Sequence, residues 1–280
     1  MEYWQHIYSH FDPIAFKLFF LSVHWYGIMY ALALLVAVMM ASFIVKKDKL
    51  GISEDQLDEY IIWAEVGVIL GARLGYIVFY DPHTYYFLTH PWNIFNPFVG
   101  GTFVGIAGMS FHGALLGYIL ATLLYSRKIS KKGDKKTFWF FVDLAALAVP
   151  LGYFFGRIGN FLNQELVGRV TEVPWGIYVH GVLRHPSQIY EAFLEGVVVF
   201  ILLYIYRNKK KFDGELGILF AIFYSIARII AEFWRAPDFH IGYVYGGFIT
   251  RGQVLSGIFL IGLMILYAIV YKIKVKKTKN

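Results

Sequence analysis

The polar residues best suited to chemistry are concentrated in one stretch, Gly156 to Arg169, which directly follows the apolar run 138–155. It reads GRIGNFLNQELVGR and holds two arginines, two asparagines, a glutamine and a glutamate. Arginine presents a planar fork of donors that matches phosphate, and the glycines allow close backbone approach. An arginine within a membrane costs from about 2.5 to over 10 kcal/mol unless it is paired or hydrated. The stretch therefore indicates an anion site, and an interfacial loop anchored by arginines is the structural alternative.

Two other segments carry ionisable groups in apolar surroundings. His112 stands in the sequence FHGALLG, and an imidazole can gain or lose a proton near neutral pH. Arg228 and Glu232 are four residues apart, so on a helix they share one face. The structural alternatives are a core histidine whose polar atoms are satisfied and an ion pair that neutralises itself.

Polar and aromatic residues also mark the starts of two predicted helices. Tyr26 lies in HWYGIMY, a composition typical of the aromatic belt at a membrane interface or of a ligand contact. The segment Arg184 to Glu191, RHPSQIYE, places a proline at a predicted first helical turn. It indicates either the start of a helix or another polar element of the site.

The elements that position these residues must be membrane helices. The 280 residues are 58% hydrophobic and 16% charged, whereas soluble domains have roughly 45–50% apolar and about 25% charged residues. The net charge of +7 comes from lysines gathered in short loops, so it does not indicate a nucleic-acid partner. The N-terminus has no basic segment typical of a cleavable leader, and we expect the first apolar run to remain as a membrane span.

We predict an all-α polytopic membrane protein, a single membrane-embedded domain over residues 1–280. Each of its seven transmembrane helices is near the ~20 residues that a bilayer requires. The predicted spans are 20–45, 59–80, 110–127, 138–156, 187–207, 214–234 and 251–273.

Lysines and arginines are distributed unevenly between the two sides of these spans. One set of flanks carries 18 of them and the other carries 5. By the positive-inside rule, the N-terminus lies outside and the C-terminal Asn280 lies in the cytoplasm. The lysine runs are orientation signals and contacts for anionic lipids. The arginines of 156–169 lie on the outer side, where orientation does not explain them.

Two outer segments have their own character. Segment 81–109 is rich in proline, glycine and aromatic residues, and its end, from Phe98 to Phe111, suggests a re-entrant piece packed among the spans. Segment 157–186 is long enough for a small extracytoplasmic cap, with a turn at Val173–Gly176 and a short hairpin after it.

The outer ends of five predicted spans therefore present polar residues in the leaflet where phospholipid headgroups lie. Two arginines suit bidentate phosphate binding, and one histidine suits proton transfer. The residues alone indicate a site that binds a lipid phosphate and carries out proton chemistry beside it. The chain has no cysteine, which excludes a thiol nucleophile of its own. We see no set of metal ligands and no nucleotide motif, so we expect no cofactor.

The stretch GRIGNFLNQE closely resembles the signature of the bacterial prolipoprotein diacylglyceryl transferases. The resemblance covers nearly the whole chain, in order, and Ala114 stands where a glycine is common. Its other motifs are Tyr26-Gly27, Arg73 to Tyr76, His112-Gly113, Gly168-Arg169, His185 to Glu191 and Arg228 to Asp238.

The resemblance implies an enzyme of the bacterial cytoplasmic (inner) membrane whose active site faces the outer leaflet. Such an enzyme moves the diacylglyceryl group of phosphatidylglycerol to the lipobox cysteine of a prolipoprotein signal peptide. A thioether forms and glycerol 1-phosphate leaves. The missing cysteine fits, because the nucleophile belongs to the substrate.

The resemblance also suggests a role for each site residue. His112 is the candidate base, and Arg157 and Arg228 are expected to stabilise the leaving phosphate. Arg157 is the expected phosphate clamp, with Glu165 as its only obvious acidic neighbour, whereas Arg127 and Arg169 are expected to be interfacial. The expected substrate-binding residues are Tyr26, Arg157, Asn160, Asn163, Glu165, Gly168, Arg228 and Glu232.

Two rival functions remain open on the residues alone. A lipid or anion transporter with a basic cavity would show acidic residues deep in several spans, for which Glu65, Asp143 and Glu232 are the candidates. A phosphatidyl-alcohol transferase would need a cluster of aspartates for metal ions, and the sequence shows none. Release of glycerol phosphate from labelled lipid distinguishes an enzyme from a carrier.

Overall fold

A computed structural model describes residues 2–19, 21–99, 101–103, 105, 108–237 and 242–276. Asp238 and Asn280, which the sequence interpretation used, lie outside the described residues. The internal contacts divide the chain into two compact units. One combines Met1–Lys47 with Val142–Asn280, and the other is Asp48–Phe141.

Each of the seven predicted spans contains a long helix. These helices are α1 Trp25–Lys47, α2 Glu54–Phe79, α3 Phe111–Lys131, α4 Phe138–Leu162, α5 Ser187–Lys209, α6 Glu215–Ala231 and α7 Arg251–Lys276. In the described part of the chain, five of them are long and apolar enough to cross a membrane, namely α1, α2, α4, α5 and α7. The other two are α3 and the 17-residue α6.

The fold is mostly helical, but the expectation of an all-α chain is wrong. Within the described ranges, four two-stranded antiparallel sheets connect or precede the helices. They pair β1 Ile14–Leu18 with β2 Leu21–His24, β3 Phe98–Val99 with β4 Thr102–Phe103, β5 Ile177–Val179 with β6 Val182–Arg184, and β7 Tyr243–Tyr245 with β8 Ile249–Thr250. The first predicted span began too early, because β2 occupies its start and α1 begins only at Trp25. A short apolar run does not by itself distinguish a strand from a helix.

Glycines hold α2 and α3 together within the Asp48–Phe141 unit. Gly67, Gly71 and Gly75 repeat every fourth residue on α2 and face Gly113 and Gly117 of α3. A Cβ atom on Gly71 would lie 2.3 Å from the carbonyl oxygen of Gly113, and one on Gly117 would lie 2.0 Å from that of Gly67. Small residues at this spacing let two membrane helices pack backbone to backbone.

The loop between α2 and α3 is fixed to its own unit by a buried arginine. The Arg73 side chain donates to the carbonyl oxygens of Ile94, at 2.5 Å, and Gly108, at 3.3 Å. Irregular backbone of this kind is tolerated at membrane depth only when protein or water satisfies it. The expected re-entrant piece overlaps residues outside the described ranges, so that expectation stays a prediction.

The predicted turn and hairpin in 157–186 are confirmed. The Gly176 amide donates to the Val173 carbonyl at 3.0 Å, and β5 and β6 follow. Phe161 at the end of α4 forms a small core with Ile177 and Val179 of β5. This hairpin covers the end of α4, the helix that carries Arg157.

Candidate active site

Arg157 lies one turn before the end of α4, on a helix that packs closely against α1. A Cβ on Gly152 would lie 2.8 Å from the Ala33 carbonyl oxygen, and one on Gly159 would lie 3.3 Å from the Tyr26 ring. These glycines let α1 approach α4 on both sides of Arg157. Tyr26, which is partly exposed, is thereby placed beside the GRIGN segment.

Arg157 is held by two carboxylates that come from a different helix. Its Nη1 lies 3.0 Å from Oε2 of Glu191, and its Nη2 lies 3.4 Å from Oε2 of Glu195. Nη2 also donates to the Tyr153 hydroxyl, and Nη1 donates to Oδ1 of Asn160 at 3.4 Å. The arginine side chain is only 13% exposed. Its guanidinium is thus held in one orientation rather than projecting into a loop.

Glu165 is therefore not the partner of Arg157, and that prediction is wrong. Its carboxylate instead accepts a hydrogen bond of 2.7 Å from the side-chain amide of Asn160. The partners of Arg157 are distant in sequence, and the chain brings them together only by packing α5 against α4.

Arg228 of α6 contacts the same two carboxylates. Its Nη1 donates to Glu191 Oε2 at 3.2 Å and to Glu195 Oε1 at 3.3 Å. Its Nη2 donates to Glu232, which confirms the predicted pair on one helix face. Glu232 also accepts the Thr250 hydroxyl at 2.6 Å and lies 3.9 Å from Arg235. Among the described residues, these ion pairs join three arginines and three glutamates in one ionic cluster.

Glu191 and Glu195 are functional candidates to which the sequence analysis gave no individual role, although Glu191 ends the segment Arg184 to Glu191. Both carboxylates are fully buried on α5. Buried ionisable groups in a membrane helix are costly and are paired or functional. Glu191 and Glu195 have the same four-residue spacing as Arg228 and Glu232. The segment Arg184 to Glu191 was considered either the start of a helix or another polar element of the site, and Glu195 was not considered.

The remaining predicted site residues of this unit lie near the end of α4. The backbone N–H of Asn163 donates to the Gly159 carbonyl at 2.9 Å, at the C-terminal end of the helix. A Cβ on Gly168 would lie 2.2 Å from the His185 carbonyl oxygen, so packing alone requires a glycine there. Burial lowers the pKa of the His185 imidazole.

The interfacial position predicted for Arg169 stays a prediction, but its side chain is held within the protein. Its side chain donates to three backbone carbonyls, those of Arg235 at 2.9 Å, Glu232 at 3.1 Å and Phe248 at 3.1 Å. It thereby ties the chain after α4 to the chain on either side of Asp238. Arg127, which was given the same interpretation, is indeed exposed.

His112 lies in the Asp48–Phe141 unit, whereas the arginine cluster lies in the other unit. It is the second residue of α3 and is exposed, with Nδ1 3.4 Å from the Tyr80 hydroxyl. Its role as a base stays a prediction.

The fold and the cluster define a mostly helical membrane protein with a buried arginine–glutamate site. The sequence profile of the prolipoprotein diacylglyceryl transferase family matches residues 13–269. The phosphatidylglycerol–prolipoprotein diacylglyceryl transferase of Aliarcobacter butzleri is 58% identical over 276 residues, which cover 99% of this chain and 100% of the relative. Proteins of the same name from Campylobacter jejuni, strain 81-176, and Wolinella succinogenes are each 60% identical, with at least 95% of both chains covered. The chain belongs to the prolipoprotein diacylglyceryl transferase family.

Proposed function

We propose that this protein transfers the sn-1,2-diacylglyceryl group of phosphatidylglycerol to the lipobox cysteine of a prolipoprotein signal peptide. The cysteine sulfur attacks the carbon of the diacylglyceryl group that is bonded to the phosphate. A C–S bond forms, and the C–O bond between that carbon and the phosphate breaks. Glycerol 1-phosphate leaves with the electron pair of that bond, and the thiol proton passes to a base. The observation that carries the proposal is the buried pair Arg157 and Arg228, held together by Glu191 and Glu195.

The two arginines supply what this reaction needs most. Negative charge grows on the phosphate as the C–O bond breaks, and fixed donors in a site of low polarity stabilise it without reorganising. Arg157 and Arg228 are mostly buried, and each is held by carboxylates. This preorganisation favours the transition state over the bound lipid.

The other polar residues are proposed to align the two substrates. Tyr26 and Asn160 lie along the α1–α4 contact beside Arg157, where they are suited to the glycerol headgroup, together with Asn163, Glu165 and Gly168. Glu232 is proposed to hold the Arg228 side chain in position through their ion pair. On the family resemblance, His112 is proposed as the base that receives the thiol proton.

A transporter is less well supported by the acidic residues of this protein. Asp143, one of the candidates for a proton carrier, accepts the amides of Gly214 at 2.9 Å and Gly217 at 3.2 Å. It also pairs with Lys210 at 3.0 Å. Asp143 therefore stabilises the start of α6 by accepting hydrogen bonds from its backbone N–H groups. Glu232, another candidate, belongs to the arginine cluster.

Incubation of the purified protein with phosphatidylglycerol and a lipobox peptide tests the proposed function. We expect the peptide mass to rise by one diacylglyceryl group and glycerol phosphate to appear in equal amount. A peptide whose cysteine is replaced by serine is the matched control and should remain unmodified. Movement of labelled lipid without either product would instead favour a carrier.

We also propose that the protein has seven membrane spans and that its site faces the outside, and this orientation gives a second prediction. A reporter fused after Asn280 should read cytoplasmic, and one within 157–186 should read external. The reason is the 18-to-5 distribution of lysine and arginine across the spans. A reporter within 128–136 is the matched cytoplasmic control. An external C-terminus would contradict both the span count and the outward placement of the site.

A further inference from the structure

Glu191 and Glu195 occupy the arginine nitrogens that a phosphate would use. On Arg157, Nη1 contacts Glu191 and Asn160, while Nη2 contacts Glu195 and Tyr153. The Nε atom is buried and has no hydrogen-bond partner among the described residues. A guanidinium binds phosphate through two adjacent N–H groups. A bidentate phosphate on Arg157 must therefore displace at least one of these contacts.

Two nitrogens of Arg228 also contact carboxylates. Its Nη1 contacts both Glu191 and Glu195, and its Nη2 contacts Glu232. One oxygen of Glu191, Oε2, is shared between the two arginines, and its other oxygen is buried without a hydrogen-bond partner among the described residues. The glutamates therefore bridge the two arginines and fix the spacing between them.

The helix segment that carries Glu195 has an unusual geometry and packs closely against α4. Residues Ala192–Val198 form a π-helix within α5, a rare geometry that is frequent at functional sites. Gly196 brings this segment against α4, since a Cβ there would lie 3.1 Å from both N and Cα of Phe154. Phe154 is one turn before Arg157. The close contact sets the distance from Glu195 to the arginine.

The charges of the cluster predict that an incoming anion competes with the glutamate carboxylates for the arginines. Within the part of the chain that the structure describes, the three glutamates of the cluster offset the charges of its three arginines. Removing one carboxylate charge would leave one positive charge in surroundings of low polarity, where Coulomb interactions are strong. The same change would free an arginine from the contact that orients it. Anion affinity should therefore rise while the efficiency of the chemical step falls.

We propose that Glu191 and Glu195 are positioning residues that act as competing counter-ions. They hold Arg157 and Arg228 at the spacing needed in the transition state, and the lipid phosphate displaces part of their contacts when it binds. This inference rests on the proposed transferase function, because it concerns the same two arginines.

Steady-state kinetics of Glu195→Gln and Glu191→Gln test the competition. We expect KM for phosphatidylglycerol and the inhibition constant of glycerol 1-phosphate to fall about tenfold, which corresponds to 1.4 kcal/mol. We expect kcat to fall roughly 10²-fold because the arginines lose their orientation. Simple damage to the fold would not strengthen binding of an anion. The matched control is Glu215→Gln, a fully buried glutamate of the same unit bound by the Tyr206 and Tyr267 hydroxyls.

The variant Glu195→Asp separates position from charge. It keeps the negative charge but shortens the side chain, so kcat should fall while KM stays near the wild-type value. A wild-type kcat in this variant would overturn the positioning role. If both glutamine variants keep a wild-type melting temperature, an unchanged or raised KM would overturn the competition between the glutamates and the phosphate. If neither variant folds, the aspartate variant decides the proposal. Failure of the transferase function itself would look different, because wild-type protein would then form no thioether.

Discussion

Arg157→Ala should reduce thioether formation below detection. The substitution removes one of the two arginines proposed to stabilise the leaving phosphate, and it also leaves Glu191 and Glu195 without one of their two arginines. Removing one partner of a buried ion pair typically costs about 3–5 kcal/mol, because an uncompensated charge remains. Transfer should be measured by product mass at equal amounts of folded protein, so that lost chemistry is separated from lost stability.

Arg157→Lys is the more discriminating change. Lysine keeps the charge but presents a compact ammonium in place of a planar fork, so it cannot bind a phosphate through two parallel N–H groups. We expect a loss of about 10²–10³-fold in kcat with the fold intact. Near-normal turnover would remove the bidentate clamp from the mechanism and leave Arg228 as the better candidate.

The controls for these variants follow from the structure. Arg127→Lys changes an exposed arginine and should be mild. Arg169 was also expected to be interfacial, but Arg169→Lys is unsuitable as a control because this side chain donates to three backbone carbonyls.

The helices were predictable because their signal is local. Each predicted span contains a long helix, since a run of about 20 apolar residues has few other uses. The hairpin before α1 was not predicted, because its apolar residues continue into those of the helix. The turn after Val173 was predictable from its proline and glycine, which restrict the backbone at known positions.

The ionic cluster shows where sequence reasoning ends. The pair Arg228 and Glu232 was predictable, because four residues on a helix place two side chains on one face. The partners of Arg157 were not, because Glu191 and Glu195 are more than 30 residues away and reach it through the packing of α5 on α4. The π-helix that carries Glu195 has no recognised sequence signal of its own. The nearest charged residue in sequence, Glu165, was therefore chosen wrongly.

His112→Gln should lower the rate by roughly 10²–10⁴-fold while lipid binding survives. A free cysteine thiol has a pKa of about 8.5, so most of it is protonated at neutral pH and a base is needed to form the thiolate. Glutamine keeps a polar side chain of similar reach, and His112 is exposed, so the fold should tolerate the change.

The rate of the His112→Gln variant as a function of pH decides between three roles. If the histidine is the base, raising the pH should recover only part of the activity, because unassisted thiolate replaces proton transfer but not its alignment. Full recovery at high pH would show that the thiolate forms unaided. Loss of phosphatidylglycerol binding would make His112 a headgroup or packing residue. Tyr80→Phe is the matched control, because it removes the hydroxyl 3.4 Å from His112 Nδ1 and leaves the imidazole in place. A much smaller loss in that variant would assign the effect to the imidazole itself.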